Sequence, residues 1–147
     1  MVKRNFEPAE IKYSPPTGYA SISSIPYTVA AALVEGRFTV EEVSDEAVKK
    51  TQILELARKV QRSVNTNFLD YQNAAVNITL KNGKTYKHSP EQAIGSPEMP
   101  ASRKIIEDKF ISSTKHVLSE ERMQEVIDTV DKFDKLDDVS GLMRLLK

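Results

Sequence analysis

Cysteine is absent from the 147-residue sequence, and histidine and glycine are scarce. Without cysteine the chain can form no disulfide, no thiolate metal site and no cysteine nucleophile. His88 and His116 lie far apart, and neither has a carboxylate at metal-ligand spacing. The five glycines are scattered singly, so there is no glycine-rich phosphate loop. We therefore expect neither a metal nor a nucleotide cofactor.

Net charge and long apolar runs are absent as well. The 21 basic and 21 acidic side chains cancel, which is not the pattern of a protein that binds nucleic acid or a membrane surface. The longest unbroken apolar run, Val29 to Val34, is too short to span a bilayer. Met1 to Glu10 has no apolar segment of the kind that a secretory signal needs. The expected location is cytoplasmic, with no nucleic-acid or membrane partner.

What is present is the composition of an ordinary folded domain, with 39% apolar and 29% charged residues. A chain of this length fits one domain. Prolines and a glycine punctuate residues 1–22, which we predict to be an irregular or extended N-terminal segment with at most a short strand at Glu10–Tyr13. We predict a single α+β domain over residues 23–147.

The stretch SSIPYTVAAALVEGRF, Ser23 to Phe38, predicts the first long helix. Proline is tolerated in the first turn, because the N–H that it lacks would have no intrahelical partner there. Gly36 supplies a left-handed C-terminal stop, so the helix is expected from about Pro26 to Glu35. Residues Val29 to Val34 are apolar on every side, and we expect such a helix to be covered all round.

The stretch AAVNITLKNGKTYKH predicts a β-hairpin. Apolar residues alternate with polar ones from Val76 to Leu80, so one face of the strand is expected to be buried. The dipeptide Asn82-Gly83 suits a two-residue type I′ turn, which would place Thr85 opposite Leu80.

Other elements are predicted on either side of the hairpin. They are helices at about Thr51–Lys59, Ser102–Val117, Ser119–Phe133 and Val139–Leu146, and a strand at Val60–Val64. The order of helices, a small antiparallel β-meander and further helices predicts an α+β fold in which the meander packs against several helices.

Ser24 and Tyr27 are the candidate site residues that the pattern suggests. They flank the amino end of the first long helix, where unpaired backbone N–H groups and a partial positive charge favour an anion. A hydroxyl and a phenol there could bind a substrate carboxylate, and the phenol could transfer a proton. The structural interpretation is that Ser24 caps the helix, while the Tyr27 ring packs in the core and its hydroxyl bonds a backbone acceptor. The residues leave both interpretations open.

Four stretches in one collinear order resemble the C-terminal half of the MmgE/PrpD family, over about residues 14–147. The first consists of the family phrase FSLPYxVAxALLxGRV, which is similar to Ser24–Arg37, and the LxxKV that ends the short helix after it, which is similar to Leu56–Val60. Its VxVxLxDGxxx hairpin resembles VNITLKNGKTY, and its GxPxNPMSxxELxxKF resembles GSPEMPASRKIIEDKF. Its closing helices and LEDVxxLxxLL tail resemble VLSEERMQEVIDTVDKFDKLDDVSGLMRLL.

The family includes 2-methylcitrate dehydratase, cis-aconitate decarboxylase and iminodisuccinate epimerase. The resemblance therefore implies lyase or epimerase chemistry on small di- and tricarboxylates, without a metal or an organic cofactor. It implies a large helical domain and a smaller α+β lid, with the active site in the cleft between them. Tyr27 matches a tyrosine that lines this site from the lid side. The resemblance thus implies a catalytic role for Tyr27, with Ser24 and Tyr27 as candidate substrate-binding residues.

The family's helical domain, which carries most of its catalytic residues, has no counterpart in this sequence, and neither has the lid's opening K…P…H segment. We interpret the sequence as an isolated lid: an expressed fragment, a split-gene subunit or a truncated reading frame. It is expected to be inactive alone. Its expected partners are the helical domain or a split subunit in trans, a small carboxylate substrate and, as a further possibility, a second copy in a homodimer. The alternative is a stand-alone, non-enzymatic module that kept the fold and binds a protein partner.

Overall fold

The computed structural model describes residues 8–61, 63 and 74–146. The chain divides into two compact units, Met1–Pro100 and Ala101–Lys147, so the predicted domain boundary at residue 22 falls inside the first unit. The predicted strand Val60–Val64 lies partly outside the described residues, and its described positions 60, 61 and 63 form no strand. Among the helices of the described ranges, none combines the length and apolar character that a bilayer crossing requires.

The fold class is α+β, as predicted. The described part of the first unit contains α1 (Ala9–Tyr13), α2 (Gly18–Ser21), α3 (Ile25–Glu35), a 3₁₀ turn (Ala47–Lys49), α4 (Thr51–Ala57), β1 (Val76–Thr79) and β2 (Thr85–His88). That of the second unit contains α5 (Arg103–Thr114), α6 (Glu120–Val130), a 3₁₀ turn (Phe133–Lys135) and α7 (Ser140–Leu145).

The helices α1 and α2 lie where irregular or extended chain is predicted. The predicted strand at Glu10–Tyr13 is wrong, because the Lys12 N–H donates to the Pro8 C=O at 3.2 Å and closes a helical turn. Apolar and polar residues alternate over these four positions, but so short an alternation does not separate a strand from one turn of helix. The Tyr13 hydroxyl ties this turn to the chain after α4 by donating to the Val60 C=O at 3.0 Å.

The helix α3 confirms the predicted first long helix and both of its ends. Ser24 caps the amino end, and Gly36, with φ 71°, ends the helix by donating its N–H to the Ala32 C=O at 3.0 Å. The core of the first unit joins α3, the 3₁₀ turn and α4, and its buried members are Tyr27, Ala30, Ala31, Val48, Ile53 and Ala57. The helix is not covered all round, since Leu33 is 46% exposed. A single exposed apolar side chain is common in folded proteins, so apolar character alone overestimated burial here.

The hairpin forms where it is predicted, but with a three-residue loop. The Leu80 N–H donates to the Lys84 C=O at 2.8 Å, and the Gly83 N–H donates to the Leu80 C=O at 2.9 Å. Gly83 has φ 83°, whereas Asn82 has no positive φ, so the predicted type I′ turn is wrong. A loop that ends in a left-handed glycine needs positive φ at that glycine alone, which spares Asn82 the steric cost of the left-handed region.

The longer loop shifts the strand register by one residue. Thr79, and not Leu80, lies opposite Thr85, and the two threonine hydroxyls are 3.1 Å apart. Val76 and Leu80 are exposed, so the prediction that this strand face is buried is also wrong. Alternation identifies the face that a strand could bury, but it does not show that another element covers that face.

The second unit is built from capped helices around few buried side chains. Ser102 and Ser119 begin the predicted helices and cap α5 and α6 by accepting N–H groups at 3.4 Å and 3.3 Å. The buried apolar residues described in this unit are Leu118, Met123 and Val126. The helix α5 has no buried residue, and Ile106, which the helical spacing places on an inner stripe, is exposed.

Candidate functional site

The amino end of α3 is closed by Ser24. Its Oγ accepts the Tyr27 N–H at 3.1 Å, and its C=O accepts the Thr28 N–H at 2.9 Å. The buried Ser24 hydroxyl also donates to the Lys12 C=O of α1. Pro26 has no N–H to offer. The N–H groups of Tyr27 and Thr28 that the helix terminus could have offered to an anion are therefore already bonded within the chain.

Tyr27 lies in the core of the first unit with 0% of its surface exposed. Its ring meets the Phe38 ring edge to face, with centroids 6.5 Å apart and planes at 71°. Its hydroxyl donates to the Glu42 C=O at 2.7 Å. Burial raises the pKa of the Tyr27 phenol, and the carboxylates of Glu42 and Glu35 raise it further. The phenol is therefore neutral at neutral pH, and its proton is held by a backbone carbonyl.

Ser24 and Tyr27 both lie at the amino end of α3, Ser24 as the helix cap and Tyr27 as part of the core. Their contacts are the ones expected from the structural interpretation: a capped helix, a packed ring and a hydroxyl bonded to a backbone acceptor. The catalytic role of Tyr27 and the substrate-binding roles of Ser24 and Tyr27 stay predictions. Because Tyr27 is fully buried and its hydroxyl is bonded to the Glu42 C=O, a ligand could contact the phenol only if the surrounding core rearranged.

Glu42 is a buried charged residue that sequence reasoning missed. Only 3% of the Glu42 surface is exposed. Its carboxylate accepts the Thr39 N–H at 2.7 Å, the Thr39 hydroxyl at 2.8 Å and the Arg37 Nε–H at 3.1 Å. The signal that could have found it is the spacing Thr39-x-x-Glu42, which is that of a capping box. Burial by itself would raise the pKa of the Glu42 carboxyl, but hydrogen bonds from Thr39 and Arg37 outweigh burial and hold it below its ordinary value.

We expect Glu42→Gln to lower the free energy of unfolding by about 2 kcal/mol near neutral pH, because the charge-assisted hydrogen bonds are lost. A lowered folded-state pKa means that the wild-type carboxylate stabilises the fold above the ordinary value of 4.5 and loses this effect as pH falls through the folded-state pKa. The difference between the wild type and Glu42→Gln should therefore shrink on acidification. Urea unfolding at a series of pH values measures it, with exposed Glu55→Gln as the control. A difference independent of pH would contradict this role of Glu42.

Comparison with known proteins places these features in a family. The model of the MmgE/PrpD C-terminal domain matches residues 6–134. Cis-aconitate decarboxylase of Mus musculus is 29% identical over 136 residues, which are 90% of this chain and 28% of that protein. The Homo sapiens enzyme is 28% identical over 127 residues, 84% of this chain and 26% of that protein. Cis-aconitate decarboxylase of Aspergillus terreus is 28% identical over 138 residues, which are 90% of this chain and 28% of that protein.

The chain thus spans only 26% to 28% of the length of these relatives. The family match, in contrast, covers most of the chain. The collinear phrases in the sequence and the α+β architecture agree with that match. The protein therefore belongs to the MmgE/PrpD family and corresponds to its C-terminal domain.

Proposed function

We propose that this chain is the lid of an enzyme that acts on small di- or tricarboxylic acids, and that it has no turnover by itself. The observation that carries the proposal is the collinear match of 90% of this chain to 28% of a cis-aconitate decarboxylase. That relative is named for the decarboxylation of a tricarboxylate. Because the match covers so small a share of the relative, the remaining catalytic groups are proposed to come from a helical domain or a split subunit in trans.

Chemistry that begins with proton removal next to a carboxylate needs a base, an acid and donors that hold the carboxylates. The phenol of Tyr27 is neutral and already hydrogen bonded, and Ser24 is engaged as a helix cap. A direct role for either residue in the assembled enzyme therefore requires that the helical domain rearrange the amino end of α3. In the isolated chain we expect both residues to act on stability alone.

The isolated chain is expected to give no product from cis-aconitate or 2-methylcitrate above the background reaction, because these residues match only the C-terminal domain of the family. Product formation is followed by chromatography, with the intact mouse enzyme as the positive control. Addition of the helical portion of a relative, purified separately, is expected to restore turnover. Turnover by the chain alone, in proportion to its concentration, would contradict the proposal.

A second candidate is a stand-alone module that binds a protein partner. It is favoured by the large apolar side chains that the second unit leaves exposed, which include Ile106, Val117 and Met143. Sedimentation of the chain alone and with the helical portion of a relative distinguishes the two candidates. A stable complex with the helical portion favours the lid. A chain that stays monomeric and does not bind the helical portion favours the stand-alone module.

A further inference from the structure

Lys12 is a buried cation without a carboxylate partner among the residues that the structure describes. It is 6% exposed, and its Nζ donates to the Ser23 C=O at 2.8 Å and to the Ser23 Oγ at 2.6 Å. The ion pairs found in the described ranges all involve other cations. Buried ammonium groups are ordinarily paired, because removing an unpaired charge from water is costly.

The main chain near Lys12 includes the start of α3. Ser23 directly precedes the cap of α3, an 11-residue helix whose amino end carries a partial positive charge. Ser23 is exposed and donates its own hydroxyl to the Ala20 C=O at 3.3 Å. The ammonium is therefore bonded to the carbonyl and hydroxyl oxygens of a residue that borders solvent, one position before the cap of α3.

We propose that Lys12, together with Ser23, binds one carboxylate of a small di- or tricarboxylic acid beside the amino end of α3. A lysine ammonium has three N–H donors. Ser23 accepts two of them, and the third, which has no acceptor among the described residues, would donate to a carboxylate oxygen. Ser24 and Tyr27 cannot supply this contact while they are bonded within the chain, and Lys12 takes the place that they were predicted to fill. The class of ligand rests on the proposed function, whereas the position of the site rests on the buried ammonium.

The test is thermal unfolding of the 147-residue chain with added cis-aconitate. The wild type and Lys49→Met, which removes an exposed lysine of the same unit, are expected to rise in Tm by about 4 °C at a ligand concentration about ten times the Kd. Lys12→Met is expected to show no rise. Without ligand its Tm should equal or exceed that of the wild type, because the substitution removes a buried charge that has no carboxylate partner within the described ranges. A lysine that serves only to bond Ser23 predicts the opposite, a lower Tm.

A second measurement tests the proposal even if Lys12→Met does not fold. Side-chain amine NMR of the wild type, with the Lys12 signal assigned from Lys12→Arg, is expected to show that cis-aconitate shifts this signal before those of exposed lysines. The proposal is overturned if the wild type shows no rise in Tm, or if Lys12→Met rises as much as the wild type.

Two further outcomes separate this proposal from the proposed function. An equal response to sulfate and to cis-aconitate would support an anion site at Lys12 while contradicting the substrate class. A Lys12 signal that responds to the helical portion of a relative but not to cis-aconitate would overturn the carboxylate ligand and assign the counter-charge to a protein side chain. Neither result changes the expectation that a separately purified helical portion restores turnover. The two proposals can therefore fail separately.

Discussion

Gly18→Ala is expected to lower the free energy of unfolding by about 3 kcal/mol or more, which is a large effect for one methyl group. A Cβ at Gly18 would lie 1.8 Å from the Val43 carbonyl oxygen and 2.7 Å from its carbon. Both are main-chain atoms, so no side-chain rotation can relieve the overlap. The Gly18 N–H also donates to the Asp45 carboxylate at 2.7 Å, which holds the two segments at this close distance.

Gly141→Ala is the matched control for Gly18→Ala. Gly141 lies in α7, and the nearest atom to an added Cβ belongs to the flexible Arg144 side chain, at 3.8 Å. Alanine is favoured over glycine inside a helix by about 0.5 to 1 kcal/mol, so this variant should be as stable as the wild type or slightly more stable. Urea unfolding followed by circular dichroism measures both variants. Similar small effects of the two substitutions would contradict the close approach at Gly18.

Tyr27→Ala is the second large effect that we expect, a loss of about 4 kcal/mol, because the substitution removes a fully buried ring from the core. Tyr27→Phe keeps the ring and its edge contact with Phe38, but the Glu42 C=O loses its donor. We expect that variant to lose about 1 to 2 kcal/mol. The pair separates packing from hydrogen bonding, and equal losses would show that the hydroxyl contributes most of the stabilisation.

The same Tyr27→Phe variant tests the catalytic prediction once turnover has been restored with a helical domain. The structural interpretation predicts that Tyr27→Phe lowers the free energy of unfolding but leaves kcat unchanged when all of the protein is folded. The catalytic role predicted from the sequence requires kcat to fall in the folded complex. Measuring kcat and KM at a temperature well below unfolding separates the two, because loss of folded protein then contributes nothing to the rate.

The amino end of α3 is a joint between segments that are distant in the sequence. Ser24 reaches the Lys12 carbonyl of α1, and Tyr27 reaches the Glu42 carbonyl of the turn after α3. Glu42 in turn closes that turn through Thr39 and Arg37. A side chain placed among such cross-links keeps its position, which the carboxylate site proposed at Lys12 requires.

Much of the local structure could be predicted because its causes lie within a few residues. Ser24, Ser102 and Ser119 accept N–H groups three positions along the chain, and Gly36 ends α3 by its left-handed backbone. Such interactions can be read from a short window of sequence. The hairpin position and the α+β class followed from the same kind of pattern, whereas the turn type depended on a competition between loops that differ by one residue.

The candidate site depended on contacts that no short window contains. The partner of the Tyr27 hydroxyl lies 15 positions away, Lys12 lies 11 positions from Ser23, and Gly18 lies 27 from Asp45. The sequence could therefore name a serine and a phenol at a helix end, but not whether their donors pointed to a ligand or to the chain itself. That choice was made by packing, since a buried polar group takes whichever partner the folded chain brings within reach.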